Sequence, residues 1–138
     1  MYKIIVDHAP SQEDNEIIRE GLYASQKHIV GEPDQYFSIF LKDENGKVCG
    51  GIQASVDTQS VYINLLWIAE KLRNQGYGKK LLDAAEQEAF NHGCIYSTTD
   101  TWDYQAEDFY LKNGYERIGE ILNYWFNHSK IFLRKRLK

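Results

Sequence analysis

The sequence predicts a mixed α/β fold in which helices flank a mostly antiparallel central sheet, and three observations carry that reading. Residues 36–68 hold three β-rich runs separated by short turns, the pattern of a meander. The period then switches, so that Leu81, Leu82, Ala85, Ala89 and Phe90 fall on one helical stripe. A strand, a short helix and two last strands follow, an order in which helices pack on the faces of one sheet. With 138 residues, 43% of them apolar and 14% aromatic, the chain is sized for a single domain, 1–138, around one core.

Lys3 to Asp7 reads as a short opening strand. Ser11 with Asp14 three residues on is a helix start of capping-box type, and Ile17, Ile18, Leu22 and Ile29 recur near helical spacing until Gly31 and Pro33 stop the helix. Tyr36 to Leu41 alternates as a strand, Asp43-Glu44-Asn45-Gly46 supplies a tight turn, and Val48 to Val56 returns. Val61 to Ile68 is nearly all apolar and is predicted near the centre of the sheet. The helix that opens at Gly76 ends at His92-Gly93, where glycine is a natural C-cap. Cys94 to Thr99 is the next strand, Tyr104 to Asn113 a short helix closed by Gly114, and Tyr115 to Glu120 and Lys130 to Leu137 the last two strands.

A net charge of -4 points away from nucleic acid or an anionic membrane as the main partner, because both demand clustered Lys and Arg, and mildly favours a cationic substrate. The basic residues Lys130, Arg134, Lys135, Arg136 and Lys138 alternate with apolar ones and read as solvated cations on a last strand. No window approaches the roughly 18 apolar residues of a membrane span. Cys49 and Cys94 sit in strand-like runs without regular spacing, so no disulfide framework is implied and a reduced, cytoplasmic setting is expected. No metal site is assigned.

Chemistry concentrates in residues 65–80, where an apolar strand end, Leu66-Trp67-Ile68, leads into Arg73-Asn74-Gln75-Gly76-Tyr77-Gly78-Lys79 and a long helix. Successive free amides at such a helix start, with the positive end of its dipole, suit a pyrophosphate, and Gly76 and Gly78 let the backbone approach it closely. Arg73, Lys79 and Lys80 add positive charge, although both lysines also read as solvated helix residues. Gly78-Lys79 is followed by Lys80, which does not fit a nucleoside-triphosphate loop, and Leu81 stands where the dinucleotide fingerprint needs a small residue.

What fits is Arg-x-x-Gly-x-Gly at Arg73, Gly76 and Gly78, which resembles the coenzyme A motif of the GNAT superfamily of N-acetyltransferases. Residues 103–115, with Asp103, Ala106, Phe109, Tyr110, Gly114 and Tyr115, resemble that family's Asn-x-x-Ala-x-x-Phe-Tyr-x-x-x-Gly-Phe/Tyr helix. Motif spacing and element order agree over nearly the whole chain. The resemblance implies acetyl-CoA as cofactor, transfer of its acetyl group to a primary amine by direct attack, and cofactor contacts from Leu66, Trp67, Ile68, Arg73, Asn74, Gln75, Gly76, Tyr77, Gly78, Lys79 and Asp103. A free amide near Trp67 or Ile68 would polarise the thioester carbonyl.

Ala106 and Tyr110 lie one helical turn apart on a shared face, so a small residue leaves room at which a phenol also points. From spacing alone Phe109 and Tyr110 read first as core aromatics; the resemblance reverses that order and implies that Tyr110 is the acid that protonates the departing thiolate. Two positions where relatives carry a glutamate match Tyr62 and Thr98 here. Asp100, Asp57 and His128 are alternatives for the base, and none is assigned. Asp103 also replaces the family's common asparagine, which leaves its contact with the cofactor open.

The acceptor is expected to be a small molecule or a peptide amino group, shaped by Tyr23, His28 and Tyr36 and by a loop holding Tyr124, Trp125, Phe126 and His128. A homodimer through the last strands fits the family's habit. The competing reading is a non-catalytic acyl-CoA sensor, motivated by the missing carboxylates at positions 62 and 98.

Overall fold

Among the described residues six strands form one sheet, in which the first four follow chain order and the last strand lies between the fourth and the fifth. The structure is a computed structural model, and it describes residues 1–31 and 35–138. The chain forms two units, Met1–Pro33 and Asp34–Lys138.

In the first unit α1 spans Gln12–Val30. The Ser11 hydroxyl accepts the Asp14 N–H at 3.1 Å, and Glu13 and Asp14 occupy the first turn while Lys27 and His28 occupy the last, matching the helix dipole at both ends. Gly31 closes the helix at φ 75°, its N–H bonded to the Lys27 carbonyl at 2.9 Å. Residues 1–7 carry no regular element, so the expected opening strand at 3–7 is not formed. Apolar composition favours a strand, but only a ladder partner makes one.

The second unit runs β1 (Gln35–Lys42), β2 (Val48–Asp57), β3 (Ser60–Ile68), a 3₁₀ turn (Glu70–Leu72), α2 (Tyr77–Asn91), β4 (Tyr96–Trp102), α3 (Glu107–Lys112), β5 (Glu116–Trp125) and β6 (His128–Arg136). The β1–β2 turn is held by the Asp43 carboxylate, which accepts the N–H groups of Asn45 and Lys47 at 2.8 and 2.9 Å. All neighbours are antiparallel except β3 and β4.

The core lies between the sheet and α2, where Ile52, Ala54, Val61, Ile63, Ile131 and Leu133 meet Leu82, Ala85 and Ala89. Burying each of the Ile, Val and Leu side chains among them stabilises by roughly 1.5–3 kcal/mol. The helical stripe differs from the expected one at a single position: Phe90 is exposed, and Glu86 takes the buried place beside Ala85 and Ala89. Glu86 is satisfied there, accepting from Tyr115 Oη and Lys135 Nζ at 2.8 Å each.

Two boundaries shift for reasons of hydrogen bonding. The Cys94 and Ile95 amides are still committed to the Ala89 and Gln59 carbonyls, so β4 begins two residues later than its apolar run. Residues 103–106 are used in a turn, which shortens α3. β5 carries Tyr124 and Trp125, which the sequence places in a loop, because the β5–β6 hairpin pairs as far as Trp125 opposite His128. Both cysteines are buried and unpaired, and burial pushes the Cys94 thiol up from its ordinary value. No helix among the described residues is long and apolar enough to cross a membrane.

Candidate active site

Parallel β3 and β4 pair only where Ser60–Ile63 face Tyr96–Thr99. Beyond that, β3 continues against β2 and β4 continues against β6, but the two strands separate. The cause lies in β3: Gln53 faces Leu65 while Ala54 faces Ile63, so Asn64 is an extra residue, a bulge that bends the strand. The bulge also resets the alternation. Val61 and Ile63 are buried before it; Leu66 and Ile68 pack on the core after it, leaving Leu65 and Trp67 exposed. The Thr99 hydroxyl donates to the Ile63 carbonyl at 3.0 Å where the strands part.

The resulting slit holds a cavity of about 250 Å³, lined by Asn64, Leu66, Asp100, Trp102, Ala106 and Tyr110 with their neighbours. On β4, Ser97, Thr99 and Thr101 are buried, and strand alternation puts Thr98, Asp100 and Trp102 on the opposite face. The slit therefore passes through the sheet, with Tyr110 on the helix side and Asp100 and Trp102 on the other.

Tyr110 is fixed by the start of α3. The Ala106 N–H donates to Thr101 Oγ1 at 3.2 Å, and that hydroxyl donates to Gln105 Oε1 at 3.2 Å, tying the helix to β4. Gly114, at φ 92°, ends the helix, and the Tyr115 N–H returns to the Tyr110 carbonyl at 3.0 Å. The Tyr110 ring packs edge-on to Phe109 and Tyr115, with centroids 5.2 and 5.3 Å apart. Burial raises the phenol above its ordinary value and the negative charge of Asp100 adds to that, while the Thr99 side chain offsets part of it. The phenol is thus protonated at neutral pH and able to donate.

The loop between β3 and α2 forms the second half of the site. Asn74 and Gly76 take positive φ, 63° and 87°, turning the chain so that α2 starts at Tyr77. The Arg73 Nε donates to the Ile68 carbonyl at 2.9 Å and closes the turn. Among the described residues, the backbone N–H groups of 74–79 have no protein acceptor, so six amides are left at the positive end of a 15-residue helix. They border a cavity of about 420 Å³ lined by Arg73, Asn74, Gly76, Tyr77, Gly78 and Lys79 and, from α3, by Phe109, Lys112 and Asn113. A Cβ at Gly78 would stand 3.3 Å from the Phe109 ring, so glycine lets α2 and α3 approach here. An anionic pyrophosphate fits this donor set. Lys79, however, is paired with Asp83 at 2.7 Å on an exposed helix face, and Lys80 lies over the Tyr77 ring.

Other sequence-predicted residues are distributed as follows. Leu66 lines the slit and Ile68 the loop cavity, whereas the Trp67 side chain is exposed. The Asp103 carboxylate accepts the Ser129 N–H at 2.8 Å and pairs with His128 Nδ1 at 2.9 Å, contacts that, the Ser129 bond above all, hold its carboxyl below its ordinary value and tie the β4–α3 turn to the hairpin. Gln75 caps the Lys71 carbonyl at 3.0 Å. Tyr62 and Thr98 face each other in the paired part of the ladder, below the slit. Asp57 ends β2 at the β2–β3 turn, opposite Ser60. Tyr23 and His28 belong to the first unit and Tyr36 to β1. Thr99, Thr101, Gln105, Lys112 and Asn113 are site residues that sequence reasoning misses. Asn64 carries a signal for the slit, as the lone amide in an otherwise apolar run.

A sheet split between two parallel strands, with a glycine loop opening a helix beside it, is the acyl-CoA N-acyltransferase fold. A crystal structure of an acetyltransferase from Bacillus cereus superposes with a TM-score of 0.82 at 30% identity over 97% of both chains. The model of the acetyltransferase (GNAT) family matches residues 2–115, and the chain belongs to this family of acyltransferases. It is similar to blasticidin-S acetyltransferase of Streptomyces morookaense, 34% identical over 97 residues that cover 70% of this chain and 71% of that one. A Bacillus anthracis protein described as a streptothricin acetyltransferase and solved with acetyl coenzyme A shares the fold, with a TM-score of 0.68 at 19% identity over 80% of this chain and 66% of that one.

Proposed function

We propose that the chain moves the acetyl group of acetyl-CoA onto a primary amine of a small molecule or peptide by direct attack. The observation that carries this reading is the slit, which brings the Tyr110 phenol and the Asp100 carboxylate to one cavity beside an unpaired strand edge. The relative named for blasticidin-S supports a small-molecule acceptor.

When bound, acetyl-CoA supplies the thioester that the amine attacks. The 74–79 amides and the α2 dipole hold its pyrophosphate, assisted by Arg73 and Lys112. Leu66, Trp67 and Ile68 would hold the pantetheine arm along the free edge of β3, where a backbone amide would donate to the thioester oxygen. Asp100 takes the proton the amine must lose. Tyr110 gives its proton to the sulfur, which leaves as thiol. Placement of both reactants in one slit supplies much of the rate.

Tyr110→Phe tests this assignment. Thiol release from acetyl-CoA with a panel of amines is expected to fall about 10²-fold or more while affinity for coenzyme A holds. Equal turnover in the variant removes Tyr110 from the mechanism, and binding without thiol release for any amine in the wild type favours the sensor reading.

A further inference from the structure

Lys130, on β6, takes no part in the proposed transfer, and its surroundings are specific. Its Nζ lies 3.6 Å from Asp100 Oδ1 and stands over three aromatic rings, 5.0 Å from the centroid of Tyr124, 5.8 Å from Trp102 and 6.0 Å from Phe132. Both Lys130 and Asp100 keep about a quarter of their side-chain surface exposed. Trp102 is itself braced by Tyr124 and Trp125, with centroids 5.6 and 5.7 Å away. An aromatic wall with a single carboxylate is the environment that selects a cation on an apolar stem. Asp100 and Trp102 line the slit that also holds Tyr110, so this cage opens onto the reacting position.

We infer that the acceptor is an unbranched primary alkylammonium, taken by Trp102, Tyr124, Phe132 and Asp100 in the place that the Lys130 ammonium fills in the free protein. The inference rests on the acetyltransferase reading and deepens it. Lys130 is an internal surrogate: a four-carbon stem ending in a primary ammonium, which is the chemistry of the substrate it precedes. The acceptor displaces it, exchanging one ammonium for another at Asp100, and the carboxylate that recognises the cation is then beside the nitrogen that must lose a proton. Lys130 is accordingly a specificity-determining residue, since it disfavours ligands unable to replace its charge.

The test uses n-butylamine as the lysine-stem probe, with n-butanol as its uncharged counterpart and tert-butylamine as its branched one. Binding is read from Trp fluorescence in the full chain, wild type and Lys130→Ala, each saturated with coenzyme A. Removing the internal competitor is expected to tighten n-butylamine on the order of tenfold, with weaker binding of tert-butylamine and none of n-butanol. In Trp102→Leu, n-butylamine binding, measured by calorimetry because the reporting ring is gone, is expected to fall on the order of tenfold, and circular-dichroism melts like that of the wild type show that both variants are folded. Equal n-butylamine affinity in wild type and Lys130→Ala, or n-butanol binding as well as n-butylamine, overturns the inference. If other amines release thiol while n-butylamine is neither bound nor acetylated, the inference falls and the acetyltransferase reading stands. Tightened binding with no thiol release from any amine leaves a cation cage but overturns both the acceptor assignment and the catalytic reading.

Discussion

Replacing Glu86 by alanine cuts a chain of hydrogen bonds that crosses the core. Ser97 Oγ and Tyr115 Oη are 2.7 Å apart, Tyr115 donates to Glu86 Oε2 at 2.8 Å, and Lys135 donates to Glu86 Oε1 at 2.8 Å. Because the Tyr115 proton goes to the carboxylate, Ser97 is the donor to Tyr115. Ser97, Tyr115 and Glu86 are all buried, whereas Lys135 reaches solvent, so its share of the ion pair is screened and small. Glu86→Ala therefore loses two charge-assisted hydrogen bonds, the exposed one counting little, and leaves the buried Tyr115 hydroxyl without its carboxylate acceptor. The expected loss is about 3 kcal/mol, or roughly 10 °C in Tm for a domain of this size. Tyr115→Phe alone leaves Glu86 and Ser97 short of a partner and costs about 1–3 kcal/mol. Once either residue is gone the bond cannot be broken again, so the double variant is expected to fall short of the sum by at least about 1.5 kcal/mol. Urea denaturation of the four proteins, followed by circular dichroism, measures the cycle. Additivity to within about 0.5 kcal/mol would refute the claim that the chain acts as a unit.

Two further outcomes follow from the same geometry. Burial raises both Tyr110 and Tyr115, with the Glu86 charge adding at Tyr115, so the folded state keeps protons that the unfolded state loses. Their stabilising effect is complete below the ordinary tyrosine value near 10 and is lost as pH rises through the folded values. Unfolding free energy measured from pH 9 to 11 should fall by up to about 1.4 kcal/mol per pH unit for each phenol, and Tyr115→Phe should make that slope shallower. Asp103→Ala is expected to leave acetyl-CoA affinity within about twofold, because one charge-assisted hydrogen bond is worth more than that only if it is made to the ligand. In the structure the carboxylate is instead spent on His128 and Ser129. A much larger loss of affinity, measured by calorimetry, places Asp103 at the cofactor after all.

Much of this architecture is legible in the residues. The Ser11 cap, the Asp43-to-Gly46 turn and the glycine stops at Gly93 and Gly114 are local chemistry, and the structure places each where the pattern does. The same holds for the loop from Arg73 to Gly78, whose glycines and position before a helical stripe announce a helix start open to an anion. What escapes the sequence is long-range. Nothing local to residues 3–7 says whether a ladder partner exists, and the exchange of Phe90 for Glu86 in the core depends on Tyr115 and Lys135, 29 and 49 residues further on. The slit is partly legible, because Asn64 interrupts an apolar strand, but its effect needs the register against β2. Asp100 stands out only when β4 and β6 bring Trp102 and Lys130 beside it.

Calorimetric titration of acetyl-CoA into the wild type and a Gly78→Glu variant decides whether the 74–79 loop and the adjoining slit hold acetyl-CoA. The added side chain presses on the Phe109 ring and sets a carboxylate among the free amides, so a circular-dichroism melt of the variant accompanies the titration. Binding in the wild type is expected on the order of micromolar, about 8 kcal/mol, with its loss in a folded variant. No binding by the wild type, or undiminished binding by the folded variant, contradicts that placement of the cofactor.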